Sequence, residues 1–598
     1  MVKAGAMRAD GDIDCRSGRP GMKNQQGRKS GDRPWEAPGA PQDSCFIEKR
    51  ISGARNPANV FKIVEGQGFC MTEDNLTSAF TRLATLAETF DQKCEVLKAP
   101  GFTEMILTAA QNARIFQPEQ LANIMWAMAK LGAQPTVEVM DTMIYASYQM
   151  MEETSLGAIT TALWAMARLD YIPGEKVLNK AVEVMEMRFN MDRPIPSMSV
   201  TEAVWALAAM GHRPSDMFLK TCTMHVMTGL QPHQPEPFPA FDLAQLMWAY
   251  VRLGFSPGEE ALRRVCQKAM DTLEVWSADA IALLGWSLAK LDFVGFPPAL
   301  LRAGIERFSV RMDCAWPALT RMISASATFC EHPGEEFLKN AVRIFNGLAH
   351  SMYSEAIESV LFSFATFSFH PGFELLDKFA KRVMESPSVF SPLHLANILW
   401  CFGLFEFCNL DLWNVVVKEI ASMTDSQNVK VPHTALYRLH QVYLLKLEQP
   451  GFVFPSQELL QACVEVWNEE IRKQKSTPSA LHQEVGKYLS KLLQQGAVPG
   501  KLYQKFTTQD GALCLEFYTD QLNQAIDLIE LKDFTRNTQM PIGSAIMQTR
   551  IIQTLLDRMG SKTIVVTIEA AKWNALETEE HKTAYLRTAL SKPADRAA

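Results

Sequence analysis

Residues 121–131 read LANIMWAMAKL. Leu121, Ile124, Met125 and Met128 follow the i, i+3, i+4, i+7 spacing of one helical face. The phrase returns as ITTALWAMARL (159–169), VTEAVWALAAM (200–210), DLAQLMWAYVRL (242–253) and DAIALLGWSLAKL (279–291). Later copies vary the anchor and keep the register: ISASATF (323–329), LFSFATF (361–367) and ANILWCFGLF (396–405). The anchors are Trp126, Trp164, Trp205, Trp248, Trp286, Ser324, Phe362 and Trp400, with steps of 38, 41, 43, 38, 38, 38 and 38 residues. A fixed period of this length means stacked helical units rather than one closed globule.

Working outward, each phrase stops at Gly132, Asp170, Gly211, Gly254, His370 or an equivalent, and a proline follows closely (Pro135, Pro173, Pro214, Pro257, Pro371). That is the grammar of a helix end and a restart. A second amphipathic segment comes next, as at 259–273, 298–310 and 373–385. Each unit is therefore a helical hairpin whose apolar face must be buried against its neighbour. Degenerate copies at 76–86 (LTSAFTRLATL) and 437–447 (YRLHQVYLLKL) extend the array to residues 46–450. The longer steps place insertions in loops, among them the Pro-rich QPHQPEPFP at 231–239. The expected fold is an all-α, right-handed solenoid of hairpin repeats, with a small α/β domain after it.

Composition narrows the class. The 598 residues are 47% hydrophobic, enough for a large folded core. A net charge of −7 gives no global support for nucleic-acid binding, so any such surface must be local. Twelve scattered cysteines show no zinc-ligand spacing and read as reduced thiols. No uninterrupted apolar run is long enough to span a membrane, and no metal or cofactor motif is present. Residues 1–45 are rich in Gly, Pro, Arg, Lys and Asp, the composition of a disordered segment or an organelle-targeting one, though Asp10, Asp12, Asp14 and Asp32 are unusual for the latter.

Two columns of the repeat bear on function. The Trp anchors sit mid-helix among Ala, Leu and Met, which favours core packing over a base-stacking platform. Sixteen residues after the anchors, in the second helices, come Thr142, Lys180, Thr221, Arg264, Arg302, Asn340, Lys378 and Val416. Seven of these are polar in otherwise apolar helices, and stacking would line them along one surface. Spaced cations backed by Thr and Asn suit a phosphate backbone and base edges. Nearby acids, Glu259, Glu260, Glu306 and Glu374, weaken that field.

The periodicity ends near residue 450. A helical connector (451–500) holds helices at 456–474 and 478–495, and the texture changes over 501–598. ALCLEFYT (512–519) reads as a strand, and DLIELKDF (527–534) as a second strand or loop edge. IMQTRIIQTLLDRMG (546–560) reads as a helix, KTIVVTI (562–568) as a strand and EHKTAYLRTAL (580–590) as a closing helix. In order along 477–592 come LHQEV (481–485), Glu516 and Asp520, Pro541 and Gly543, Arg550, Leu555 and Leu556, Gly560, VVTI, Trp573, Lys582, Tyr585, Leu586 and Leu590. This segment resembles the RAP domain, an RNA-binding module that follows helical repeats in organelle proteins. The array before it resembles octotricopeptide-type repeats but lacks their Pro-Pro-Glu-Trp signature.

The resemblance implies a noncatalytic RNA-binding protein of the mitochondrion or plastid, acting in RNA processing, stability, ribosomal RNA organisation or translation. Its partners would be organellar single-stranded or ribosomal RNA and ribonucleoprotein subunits. In the C-terminal domain the RNA-binding candidates are Lys562, Lys572, Trp573, Lys582 and Arg587. An alternative is a structural subunit of an organellar ribosome, acting mainly through protein contacts. The RAP fold is also compared with restriction-endonuclease-like domains, which raises a metal-dependent nuclease. That chemistry needs converging carboxylates and a lysine, here Glu516, Asp520, Glu569 and Lys572.

Overall fold

The computed structural model describes residues 43–67, 71–191, 195–230, 239–310, 316–427, 430–446, 449–508, 511–558 and 563–591. The expected N-terminal disordered or targeting segment lies outside the described residues up to Asp43, where the helix Asp43–Ser52 begins. All but the last residue of the Pro-rich insertion lies outside them too. The chain forms two compact units, Met1–Phe296 and Pro297–Ala598.

In Met1–Phe296, the first helices of the hairpins are Glu73–Leu86, Pro118–Leu131, Leu156–Arg168, Ser197–Ala209, Ala240–Arg252 and Ala278–Lys290. Each packs directly on the next first helix. The residue after each Trp explains how they come close: Ala127, Ala165, Ala206, Ala249 and Ser287 are small and have no exposed surface. The second helices Val137–Gln149, Glu175–Met191, Asp216–Gly229 and Glu259–Asp271 alternate with the first helices. In Pro297–Ala598 the same pattern continues through the first helices Trp316–Thr328, Ser354–Thr366, Pro392–Leu404 and His433–Lys446.

The hairpin corners repeat as faithfully as the helices. Gly132, Asp170, Gly211, Gly254, Asp292, Cys330, Ser368 and Glu406 all have φ between 53° and 79°. At each corner the next residue's N–H reaches back to the carbonyl five residues before the corner's successor, as in Ala133 N to Met128 O (2.9 Å) and Phe407 N to Phe402 O (2.9 Å). This is the Schellman closure, which satisfies the last carbonyls of the helix. The stop expected at His370 falls at Ser368 instead. Five corners are not glycine, although the left-handed region costs an ordinary residue about 1–2 kcal/mol.

The C-terminal domain holds a mixed four-stranded sheet: β1 (Leu502–Thr507), β2 (Cys514–Thr519), β3 (Gln524–Ile529) and β4 (Ile564–Glu569), in the order β1-β2-β3-β4. The first two pairings are antiparallel; β3 and β4 are parallel and joined through the helix Gly543–Arg558. β1 was not legible as a strand: LYQKFT has no β-branched run, and Lys505 breaks it with φ 47°. The helix Ala480–Gln494, expected in the connector, belongs to this core. Its Leu481, Val485, Leu489 and Leu492 pack with Phe517, Ile568, Trp573 and Leu586.

This domain folds back onto the repeats of its own unit, at three successive corners. Arg536 N donates to Cys330 O (2.7 Å). Ser368 Oγ donates to Pro541 O (3.0 Å). Arg550 donates to Leu404 O (2.8 Å) and pairs with Glu406 (3.4 Å). Asn537 bridges both backbone groups of His332 at 2.8 Å.

Candidate nucleic-acid interface

The residues of the second-helix column all fall in second helices, but its charge is largely cancelled. Lys180 is half-buried and ion-paired with Glu152. Arg264 pairs with Glu260 at 2.9 Å, and Lys378 with Glu374 at 2.7 Å while also donating to Asn346 O at 3.0 Å. Flanking cations follow suit: Arg263 with Glu259 (2.5 Å), Lys381 with Asp377 (2.7 Å) and Lys339 with Glu335 (3.2 Å). The reason is local. Acids favour the first turn of a helix, where they meet its positive end, and from there they reach the cation four residues on. Arg302 is exposed and carries no ion pair among the described residues. Thr142 is exposed and donates to Glu138 O (2.7 Å); Thr221 and Asn340 are half-buried. Lys180 and Arg264 belong to one unit, Arg302 and Lys378 to the other.

The Trp anchors depart from core packing. Trp400 is buried at 4% exposure, but Trp126, Trp164, Trp205, Trp248 and Trp286 are only half-buried. An exposed cation four residues later sits over four of these rings: Lys130 over Trp126 (5.2 Å to the centroid), Arg168 over Trp164 (5.8 Å), Arg252 over Trp248 (6.0 Å) and Lys290 over Trp286 (5.9 Å). Ala209 holds that place beside Trp205. None of the four cations is ion-paired among the described residues. The i+4 cation stands in the sequence as WAMAK, WAMAR, WAYVR and WSLAK.

In the other unit the column is occupied from within. Arg438 stands at the anchor position of its helix, and its guanidinium lies 4.6 Å from the Phe362 centroid and 5.6 Å from that of Trp400. Asn397 accepts from Arg438 and in turn donates to Glu358 at 2.5 Å. Trp400 Nε1 donates to Gln441 (2.8 Å).

The C-terminal candidates are mostly engaged. Trp573 is fully buried, so it has no face for a base; this corrects its assignment as an RNA contact. Its Nε1 donates to Glu484 (3.0 Å), and Lys582 donates to the same carboxylate (2.6 Å) from over the Trp573 ring. The Lys582 ammonium and the Trp573 N–H hold the Glu484 carboxyl below its usual range. Lys572 is exposed and pairs with Glu569 at 2.6 Å. Arg587 is exposed and donates to Gln495 (3.3 Å). Lys562 lies outside the described residues.

The nuclease candidates do not gather. Glu516 accepts from Lys505 (2.7 Å) and contacts His482 Nδ1 (2.6 Å). Asp520 lies beyond the end of β2, where its Oδ1 takes the backbone N–H groups of Lys501 and Gln521, both at 2.7 Å. Glu569 is tied to Lys572 after the bend that ends β4. Among the described residues no group of three or more His, Cys, Asp or Glu is placed to hold a metal ion, and no helix is long and apolar enough to cross a membrane. Compared with known proteins, no family model matches the chain and no curated protein matches it in sequence.

Proposed function

We propose that the chain is a noncatalytic RNA-binding protein of the mitochondrion or plastid, acting in RNA processing, stability, ribosomal RNA organisation or translation. The observation that carries this reading is the side-by-side packing of first helices. It brings side chains 38–43 residues apart in sequence onto one face, as a ligand with a repeating backbone requires. The ordered likeness of 477–592 to a RAP domain, after octotricopeptide-like repeats, supports the same assignment. Crosslinking the protein in its native compartment and sequencing the attached RNA tests it. Enrichment of defined organellar transcripts or ribosomal RNA is expected; recovery no better than an uncrosslinked control would refute it.

A second reading, a structural subunit of an organellar ribonucleoprotein, is favoured by the second helices. There most of the column charges are paired off, and Val137, Tyr145, Met217 and Met224 are 57–69% exposed. Neutralised charge beside exposed apolar side chains suits a protein partner.

A further inference from the structure

We propose that the half-buried column Trp126, Trp164, Trp205, Trp248 and Trp286, with Lys130, Arg168, Arg252 and Lys290, is a stacking track for single-stranded RNA. The inference rests on the RNA-binding reading above and moves its contact surface from the second helices to the first.

Three observations carry it. The first is charge. Three of the four second-helix column cations, Lys180, Arg264 and Lys378, are paired with acids and only Arg302 is not, whereas all four cations over the Trp rings have no ion pair among the described residues. They remain available to phosphate, and phosphate contacts dominate nucleic-acid affinity. The second is shape. Half-buried Trp rings with an exposed cation beside them recur at equivalent positions of successive helices, broken only where Ala209 stands beside Trp205. Aromatic faces accept any base, so such a track tolerates sequence.

The third is a stand-in inside the protein. Arg438 brings a flat, delocalised group against the equivalent rings Phe362 and Trp400. Arg438 is itself at the anchor position, so the rings of this column accept a flat, delocalised neighbour, the role a base would take in the Met1–Phe296 unit. Spacing selects the form of the nucleic acid. Packed helices stand about 8–10 Å apart, well beyond the roughly 3.4 Å rise of stacked bases in a duplex strand. Bases that each meet a separate ring must be unstacked from one another, which a single strand permits and a duplex does not.

The test uses the full chain, fluorescein-labelled oligoadenylate and oligouridylate, a mixed-sequence RNA duplex, and poly-glutamate as an acidic polymer without bases. Both single strands are expected to bind and to quench tryptophan fluorescence, the duplex and poly-glutamate to bind far more weakly. Replacing the exposed cations together (Lys130→Gln, Arg168→Gln, Arg252→Gln, Lys290→Gln) should lower the slope of log affinity against log salt by about 3, at roughly 0.7 per lost single-strand phosphate contact. Trp164→Ala and Trp248→Ala should each weaken binding about tenfold, and Trp→Phe at the same sites should recover most of it.

If the wild-type chain binds none of the RNAs, the RNA-binding reading falls, and the track with it. If it binds but the quadruple variant keeps its affinity and slope, only the track is wrong. Loss instead in Lys180→Gln/Arg264→Gln/Arg302→Gln/Lys378→Gln would overturn the track in favour of the second-helix column. Poly-glutamate binding as tightly as RNA would overturn it in favour of an acidic protein partner.

Discussion

Single side chains carry two measurable consequences. Burial pushes the Asp527 carboxyl up from its ordinary 3.8 to about 6, against the opposing hydrogen bond from Thr549 (2.9 Å). The native state then holds a proton that the unfolded chain releases. Stability therefore falls as pH rises from about 4 to about 6, and the loss persists above that window. Asp527→Asn should stabilise the C-terminal domain by about 2 kcal/mol near neutral pH and change little near pH 4. Denaturant midpoints at the two pH values check the sign. The corners supply the second case. Ser368 adopts φ 54° and also reaches Pro541 through its hydroxyl. Ser368→Ala keeps the backbone cost and loses the bond; Ser368→Gly loses the bond and removes the cost. The alanine variant should be less stable than the glycine variant by about 1 kcal/mol, read from the same denaturant curves.

At the level of elements, the hairpins were legible because their signals are local. Apolar spacing, the corner residue and the following proline all fall within one period, and the expected second helices at 298–310 and 373–385 match Pro298–Val310 and Phe373–Glu385. The polar second-helix column was legible as well. Its neutralisation was only half legible: the Glu260–Arg264 and Glu374–Lys378 spacings are in the sequence, but Glu152 meets Lys180 across a hairpin boundary. The half-burial of the Trp column was not legible, because Ala, Leu and Met neighbours along the helix do not say how much of a Trp ring the next helix covers. Docking of the C-terminal domain was invisible, since its contacts join residues 144–206 positions apart.

That docking is testable by itself. Arg550 supplies a cation to the carbonyl end of the helix Pro392–Leu404, a favourable place for positive charge. Gly543 lies so close that a Cβ there would run into the carbonyl oxygen of Ala365 and come within 2.6 Å of Leu404 Cδ2. Arg550→Leu should cost about 1–3 kcal/mol and Gly543→Ala a similar amount. Hydrogen exchange should quicken at the corners Cys330, Ser368 and Glu406 in both variants. Unchanged protection there would mean that other contacts hold the domain in place.

For the molecule as a whole, stability in such an array is passed between neighbours rather than held in one centre. A terminal unit needs a cap, because its outward apolar face has nothing to cover it. In the Pro297–Ala598 unit that role falls to the segment after the repeats. Gln457–Ser476 packs on the last first helix, and Gly543–Arg558 packs on Ser354–Thr366, Pro392–Leu404 and His433–Lys446, burying Met547 completely. A chain ending at Lys446 would lose the cover of three first helices at once. Its hydrogen-exchange protection should drop most in residues 392–446, less in 316–366, and little in 118–290, whose first helices cap one another. Tryptophan emission from Trp126 to Trp286 should survive. An even loss of protection across both units would show instead that the chain folds as one cooperative body and that the C-terminal domain is not a local cap.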